Sequence, residues 1–195
     1  GDIVIIGDQY PSAVFLSETI PAPKDFQASS LNLSRCSNPE CSLIQLSNLY
    51  NLQYVFDHYP YESGITANMK QILQDLLDDA LSVSELGCDD VVLDIGGNDG
   101  TLLSLIDSPV RARVNIDAAA GVVQTVSALD YTHIHGHFDA ETYLKLGLPS
   151  PKLITSVAMF YHLSDPVQFV KDILSIMDDE TIWVLQMTYV GTMLR

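Results

Sequence analysis

The pattern of hydrophobic and polar positions changes near residue 60 of the chain. Before it, short apolar runs at residues 2–6 and 43–46 are separated by prolines and polar loop residues. Runs of this length between turn residues are typical of short β-strands. We therefore predict a small, loop-rich amino-terminal module over residues 1–60.

A different period follows over residues 65–86. Apolar residues there recur at three- and four-residue intervals with polar residues between them, which is the pattern of an amphipathic helix. The apolar positions are Met69, Ile72, Leu73, Leu76, Leu77 and Ala80. We predict a linking helix within residues 61–88.

Beyond residue 89, strand-like and helix-like segments alternate. Strands are predicted at residues 91–95, 113–117, 153–157 and 181–188, and helices at 101–106, 118–129 and 166–177. Strands that are separated by helices favour a parallel sheet covered by helices, because right-handed crossovers return the chain to the same edge. We predict that residues 89–195 form one α/β domain.

Composition narrows the possible partners of this chain. It has 195 residues, of which 47% are hydrophobic, and its 9 basic and 25 acidic residues give a net charge of −16. That charge repels phosphate backbones, so nucleic acid is not expected as a partner. The sequence shows neither an apolar run of bilayer-spanning length nor the layout of a secretory signal, so we expect a cytoplasmic protein without a membrane partner.

The strongest local motif is a glycine-rich segment after the strand at 91–95. Its candidate ligand-binding residues are Asp94, Gly96, Gly97, Asn98, Asp99 and Gly100. Glycines let a ligand approach the backbone closely, and the next helix offers free N–H groups at its start. A phosphate loop would continue with a Lys-Ser/Thr pair, and the acidic residues disfavour a pyrophosphate. A cationic nucleoside ligand such as S-adenosylmethionine fits better, although an ordinary strand-to-helix turn would also contain such glycines.

An acidic residue, Asp117, ends the next predicted strand about twenty residues after this turn. A carboxylate at that place can accept hydrogen bonds from both hydroxyl groups of a ribose. Together with the glycine segment, Asp117 favours a nucleoside site over a plain turn.

Several segments together resemble one enzyme family. They are residues 92–103 (Val-Leu-Asp-Ile-Gly-Gly-Asn-Asp-Gly-Thr-Leu-Leu), 115–119, 36–46, 59–69, 136–142 and 160–165. In these segments the chain resembles the S-adenosylmethionine-dependent C-methyltransferases of nucleotide-linked deoxysugars, which carry a zinc-binding amino-terminal module. The resemblance implies a class I methyltransferase domain with a Rossmann-like parallel sheet.

The resemblance also implies roles for single residues. The glycine segment would hold the methionine part of the cofactor, Asp117 the ribose, and Phe138 would lie against the adenine. His162, with Tyr61 or Tyr59, would line the catalytic pocket, where a base removes a proton beside a ketone and the carbon attacks the methyl group. The substrate would be a small molecule.

Zinc is implied at Cys36 and Cys41. Their spacing alone is half of a zinc site and by itself favours buried or idle thiols, whereas the resemblance favours zinc. In the family a second cysteine pair precedes this segment and a Glu-His pair follows the last strand, so we expect a chain truncated at both ends.

Two departures from the family pattern leave alternatives open. Ala158 stands where the family has asparagine, and Gln186 where it has an acidic residue. A non-catalytic domain that binds S-adenosylmethionine or acts as a scaffold is one alternative, and an NAD-dependent enzyme on a similar sheet is another. His133, His135 and His137 alternate, which predicts one face of a strand at the surface or pocket edge rather than a metal cluster.

Overall fold

The computed structural model describes residues 2–10, 27–48, 59, 61–119, 131–189 and 191. The chain divides into two compact units, residues 1–60 and residues 61–195. The helix predicted over residues 118–129 lies almost wholly outside the described residues, so that prediction stays untested.

The amino-terminal unit contains an antiparallel sheet of three strands. They are β1 (Asp2–Gln9), β2 (Ser29–Arg35) and β3 (Ile44–Leu46), in the order β1-β2-β3. The structure confirms strands at the two predicted apolar runs. The central strand β2 was missed, because its sequence Ser-Ser-Leu-Asn-Leu-Ser-Arg holds only two apolar residues.

The second unit is built on a parallel sheet of five strands in the order β6-β5-β4-β7-β8. The strands are β4 (Val91–Ile95), β5 (Ala112–Asp117), β6 (Thr132–His135), β7 (Leu153–Val157) and β8 (Ile182–Gln186). Every neighbouring pair is parallel, which confirms the predicted α/β sheet. The strand order reverses at β4, and a crevice at the carboxyl edge beside such a reversal is where α/β sheets bind ligands.

Helices flank this sheet. They are α1 (Ala67–Val83), α2 (Thr101–Ser104), α3 (Ala140–Leu144) and α4 (Pro166–Ile176), with 3-10 turns at Ser63–Ile65 and Phe160–His162. The side chain of Thr66 caps α1 by accepting from the Met69 N–H at 3.2 Å, as expected for a helix start. In the described part of the chain, no helix combines the length and the apolar character needed to cross a bilayer.

The core has one layer on each face of the sheet. Leu73, Leu77 and Ala80 of α1 pack with Val92 on one face. Phe169, Ile173 and Ile176 of α4 pack on the other face with Val91, Leu93 and Ile95. Neighbouring residues of β4 thus point to opposite sides and all five are buried, as in a strand at the centre of a three-layer domain.

Candidate functional site

The loop between β4 and α2 passes directly over the strand ends. Gly96 and Gly100 have φ values of +71° and +78°, and Asn98 has +51°. Gly97 cannot be replaced without displacing buried atoms, because an added Cβ would overlap Asp94 Oδ2 and Asn115 Oδ1. This close approach of backbone to strand ends is the reason for the glycines, as the sequence motif indicates.

Asp117, at the carboxyl end of β5, fastens this loop. Its Oδ2 accepts from the Asn98 N–H at 2.7 Å, and its Oδ1 accepts from the Ala119 N–H at 2.6 Å. A carboxylate has about four acceptor positions, so capacity for two further hydrogen bonds remains. Asp117 is only partly buried. It can therefore hold the loop and still accept hydrogen bonds from a ligand.

The side chains of Asn98 and Asp99 bind backbone groups of residues 61–64, whereas the motif suggested that they bind a ligand. Asn98 accepts from the Ser63 N–H and donates to the Tyr61 carbonyl oxygen, each at 2.9 Å. Asp99 Oδ2 accepts from the Gly64 N–H at 2.7 Å. These bonds attach the segment before α1 to the glycine loop, a role that no sequence pattern predicted, and they place Tyr61 beside the loop.

Asp94 lies beneath the loop and is only 2% exposed. Its Oδ1 accepts from Thr155 Oγ1 on β7 at 2.7 Å. Burial raises the pKa of Asp94 to about 7, against the lowering effect of the Thr155 hydrogen bond, and the charges of Asp117 and Asp99 add to the increase. The site therefore holds a carboxyl group that changes its charge near neutral pH and favours a nearby cation.

On the other side of β4, the chain leaves β7 through Ala158, whose φ is +54°, into the 3-10 turn Phe160–His162. His162 lies on this turn, with its ring centroid 4.3 Å from that of Tyr161. Partial desolvation of the ring lowers the pKa of His162. The imidazole is consequently neutral at pH 7 and able to accept a proton.

Two further side chains lie near the carboxyl edge. Phe138 follows β6 and is partly buried, with its ring edge-on to Phe169 at 5.5 Å between centroids. Gln186 ends β8, and its buried Oε1 has no hydrogen-bond partner among the described residues. Sequence reasoning noted Gln186 only as a departure from a family pattern.

Three further predicted site residues belong to the amino-terminal unit. They are Tyr59, Cys36 and Cys41. Both thiols are exposed, in a turn closed by a 2.8 Å hydrogen bond from the Cys36 N–H to the Leu43 carbonyl oxygen. Among the residues that the structure describes, no three His, Cys, Asp or Glu side chains are grouped for metal binding.

The histidine prediction needs a correction. His133 and His135 lie on β6, but the strand ends at His135, and Gly136 then has a φ of +151°. His137 is therefore not on the strand face that it was predicted to share. Gly136 bends the backbone between His135 and His137, so the alternation of histidines in the sequence does not continue on the strand.

S-adenosylmethionine carries a sulfonium, an ammonium group and a ribose, and the described residues fit each of these. The glycine loop lets a ligand approach the backbone, Asp117 retains acceptor positions for ribose hydroxyls, and buried acidic groups suit a cation.

Comparison with known proteins finds similar solved structures but no similar curated sequence. No protein-family model and no curated protein sequence matches the chain. Among solved structures, the plantazolicin methyltransferase BpumL with a desmethyl plantazolicin analogue and SAH matches with a TM-score of 0.51 and 14% identity, over 64% of this chain and 49% of that chain.

Two further structures match less well. The precorrin-6y C5,15-methyltransferase of Geobacter metallireducens has a TM-score of 0.46 and 12% identity, with 67% of each chain covered. The YcgJ protein of Bacillus subtilis has a TM-score of 0.47 and 22% identity, over 57% of this chain and 49% of that chain. The chain thus spans about half the length of BpumL and of YcgJ. At these identities the likeness concerns the fold alone. The chain has a Rossmann-like parallel sheet, as BpumL does, and its amino-terminal unit has a small antiparallel sheet.

Proposed function

We propose that the chain binds S-adenosylmethionine at the carboxyl edge of β4 and β5 and transfers its methyl group to a small molecule. The observation that carries this proposal is the bond between Asp117 and the glycine loop. It joins the acidic residue suited to a ribose to a backbone that a ligand can approach closely. Preorganisation of this kind lowers the cost of binding.

Each residue has a definite task in this proposal. Asp117 accepts the two ribose hydroxyl groups through its remaining acceptor positions, and Phe138 offers an aromatic surface to the adenine. The loop from Gly96 to Gly100 holds the methionine part, and the buried carboxyl of Asp94 favours the cationic end of the ligand. The cofactor supplies an electrophilic methyl group when it is bound.

The acceptor side suits proton abstraction. His162 follows β7, the strand across the reversal point from β5, and its lowered pKa leaves a neutral imidazole at pH 7. Such a group could remove a proton from carbon beside a ketone. The resulting carbon nucleophile would take the methyl group as its bond to sulfur breaks, and S-adenosylhomocysteine would leave. We assign Tyr61, which lies beside the loop, to the same pocket.

The acceptor that we propose is a keto sugar linked to a nucleotide, or a related biosynthetic metabolite, in the cytoplasm. This finer assignment rests on the resemblance of residues 59–69 and 160–165 to the sugar C-methyltransferases. The matched solved structures have other substrates in their names, so they give it no support.

We also propose zinc in the amino-terminal unit, with Cys36 and Cys41 as two of its ligands. The tight turn between β2 and β3 and the exposure of both thiols support this. Metal analysis of the chain purified without chelator should find zinc, and the Cys36→Ser variant should lose it. An equal zinc content in both proteins would contradict this part of the proposal.

A transfer assay tests the function. The chain is incubated with S-adenosylmethionine labelled in the methyl group and a set of nucleotide-linked keto sugars, and the products are searched for label on carbon. Label that disappears in the His162→Ala variant is the expected result. Cofactor binding without any transfer would instead favour the non-catalytic alternative.

A further inference from the structure

Two acceptor oxygens line the space beneath Gly97. Asp94 Oδ2 and Asn115 Oδ1 are both within 2.6 Å of the position that a Cβ of Gly97 would take, so they share one small space. Asn115 is fully buried, and its Oδ1 has no hydrogen-bond partner among the described residues. A buried acceptor that lacks a hydrogen-bond donor is costly.

The orientation of the Asn115 amide is fixed by its other end. Its Nδ2 donates to the Asn98 carbonyl oxygen at 2.9 Å, and only the NH2 group of an amide can donate there. Reversing the amide would break this bond and place two oxygens together at Asn98. The carbonyl end of Asn115 therefore stays on the side of Asp94, and a proton on Asp94 would supply the missing donor.

We propose that Asp94 in the cofactor-free protein carries a proton that it donates to Asn115 Oδ1, and that binding of S-adenosylmethionine expels this proton. The second half of the statement rests on the proposed function. Asn115 is in this sense a positioning residue, because it acts on the cofactor site through the protonation of Asp94.

The groups that face Asp94 agree with this assignment. Asp117 on β5 and Asp99 in the loop are both acidic and disfavour a further negative charge, and burial has the same effect. The hydrogen bond from Thr155 on β7 lowers the pKa of Asp94, but it reaches only Oδ1 of the carboxyl group. His133 on β6 interacts with Asp117, and burial lowers the pKa of His133, so it adds little positive charge.

The consequence is discrimination between the methyl donor and the demethylated product. S-adenosylmethionine has a sulfonium charge that S-adenosylhomocysteine lacks, so the donor favours ionised Asp94 more strongly. The donor should therefore release more of the proton than the product does. As the pH rises toward 7, the affinity ratio of donor to product should rise by up to about tenfold per pH unit, since one proton is released at most.

Calorimetry of the full chain tests this directly. Binding heats of S-adenosylmethionine and S-adenosylhomocysteine are measured at pH 6.5 in phosphate and in Tris, whose ionisation enthalpies differ, so that proton release is obtained from the difference. We expect release of a substantial fraction of a proton with the donor and less with the product. The Asp94→Asn variant, which has the shape of the protonated acid, should show none, whereas the exposed control variant Asp107→Asn should retain the release.

A second measurement needs no ligand. In the cofactor-free protein labelled with 13C at aspartate carboxyl groups, the Asp94 signal should titrate far above the signals of exposed aspartates, and the Asn115→Ala variant should move its midpoint. An Asp94 that is already ionised at pH 6 would overturn the proposal. Cofactor binding without buffer-dependent heat would overturn the proton-release proposal and leave the proposed function intact. Failure of both S-adenosylmethionine and S-adenosylhomocysteine to bind would overturn the proposal and the proposed function.

Discussion

The two sides of the sheet's carboxyl edge are built differently. On the β4–β5 side, polar groups are buried and joined by hydrogen bonds, with Asp94, Asp99 and Asn115 each at most 2% exposed. On the β7–β8 side, the turn after β7 carries exposed Tyr161 and His162. One side is preformed, and the other presents its side chains to solvent.

This difference suits the two sides to different ligands, the β4–β5 side to a cofactor and the β7–β8 side to a methyl acceptor. Buried and fixed polar groups select a ligand of constant structure, such as a cofactor. A ligand that lacks the matching groups binds poorly, because it leaves the buried polar groups of the protein without hydrogen-bond partners. Exposed side chains on a turn permit variation of the acceptor. We infer that the cofactor is specified by the fold's central strands and the acceptor by the turn after β7, and the following predictions test that division.

The largest effect should come from His162→Ala. Loss of a general base lowers the transfer rate by about 100-fold or more. Because His162 lies on the acceptor side, the dissociation constant of S-adenosylmethionine should not change. Single-turnover rates with calorimetry measure the two quantities, and Tyr161→Phe serves as the neighbouring control. Equal losses in rate and cofactor affinity would break the division.

Asp117→Ala should mainly weaken cofactor binding, whereas His162→Ala should mainly lower the transfer rate. Removal of a charged acceptor costs about 1.5–3 kcal/mol, so cofactor affinity should fall by about 10- to 100-fold. The loop also loses its bond at the Asn98 N–H. Calorimetric titration measures the affinity, with Asp107→Ala as an exposed carboxylate control in the same unit. Unchanged affinity would remove Asp117 from the cofactor site.

Gly97→Ala tests the packing of the preformed side without any ligand. The new methyl group would overlap buried oxygens of Asp94 and Asn115, and overpacking of this kind destabilises by about 1–3 kcal/mol. Gly87→Ala is the matched control, because an added Cβ there finds its nearest neighbour, Asp90 Oδ2, at 3.6 Å. Urea unfolding measures both. Equal stability of the two variants would show that the loop is loosely packed.

The smallest effect, counted per pH unit, is a pH dependence of stability. Folding raises the Asp94 pKa from 3.8 to about 7, so the folded state binds this proton more tightly than the unfolded state. The resulting stability is fully present below pH 4 and is lost as the pH rises through 7, at a slope of at most about 1.4 kcal/mol per pH unit.

The lowered pKa values of His133 and His162 act in the opposite direction near pH 6, because stability from a histidine held neutral increases with pH. The difference between the wild-type protein and Asp94→Asn isolates the carboxyl group. A difference in unfolding free energy that does not vary between pH 4 and pH 7 would contradict the raised pKa.

Much of the fold could be predicted from the sequence, since β4 and β7 are short runs of mostly apolar residues and α1 and α4 have clear helical periods. The glycine loop and Asp117 were recognisable because their backbone requirements restrict the residue types. The short helix α3 was missed, because its five residues, Ala140–Leu144, are too few to show a period.

The roles of Asn98 and Asn115 could not be predicted for another reason. Asn98 bonds to a segment 35 or more residues away, and Asn115 reaches the loop across 17 residues. Such contacts depend on how strands and loops are brought together in three dimensions. Local sequence patterns contain no record of them.

Calorimetric titration of the full chain with S-adenosylmethionine, S-adenosylhomocysteine and NADH tests the central claim most directly. We predict saturable binding of the first two ligands, weakened in Asp117→Ala, and no heat of binding for NADH. Absence of binding by both sulfur nucleosides, or binding by NADH instead, would contradict the account.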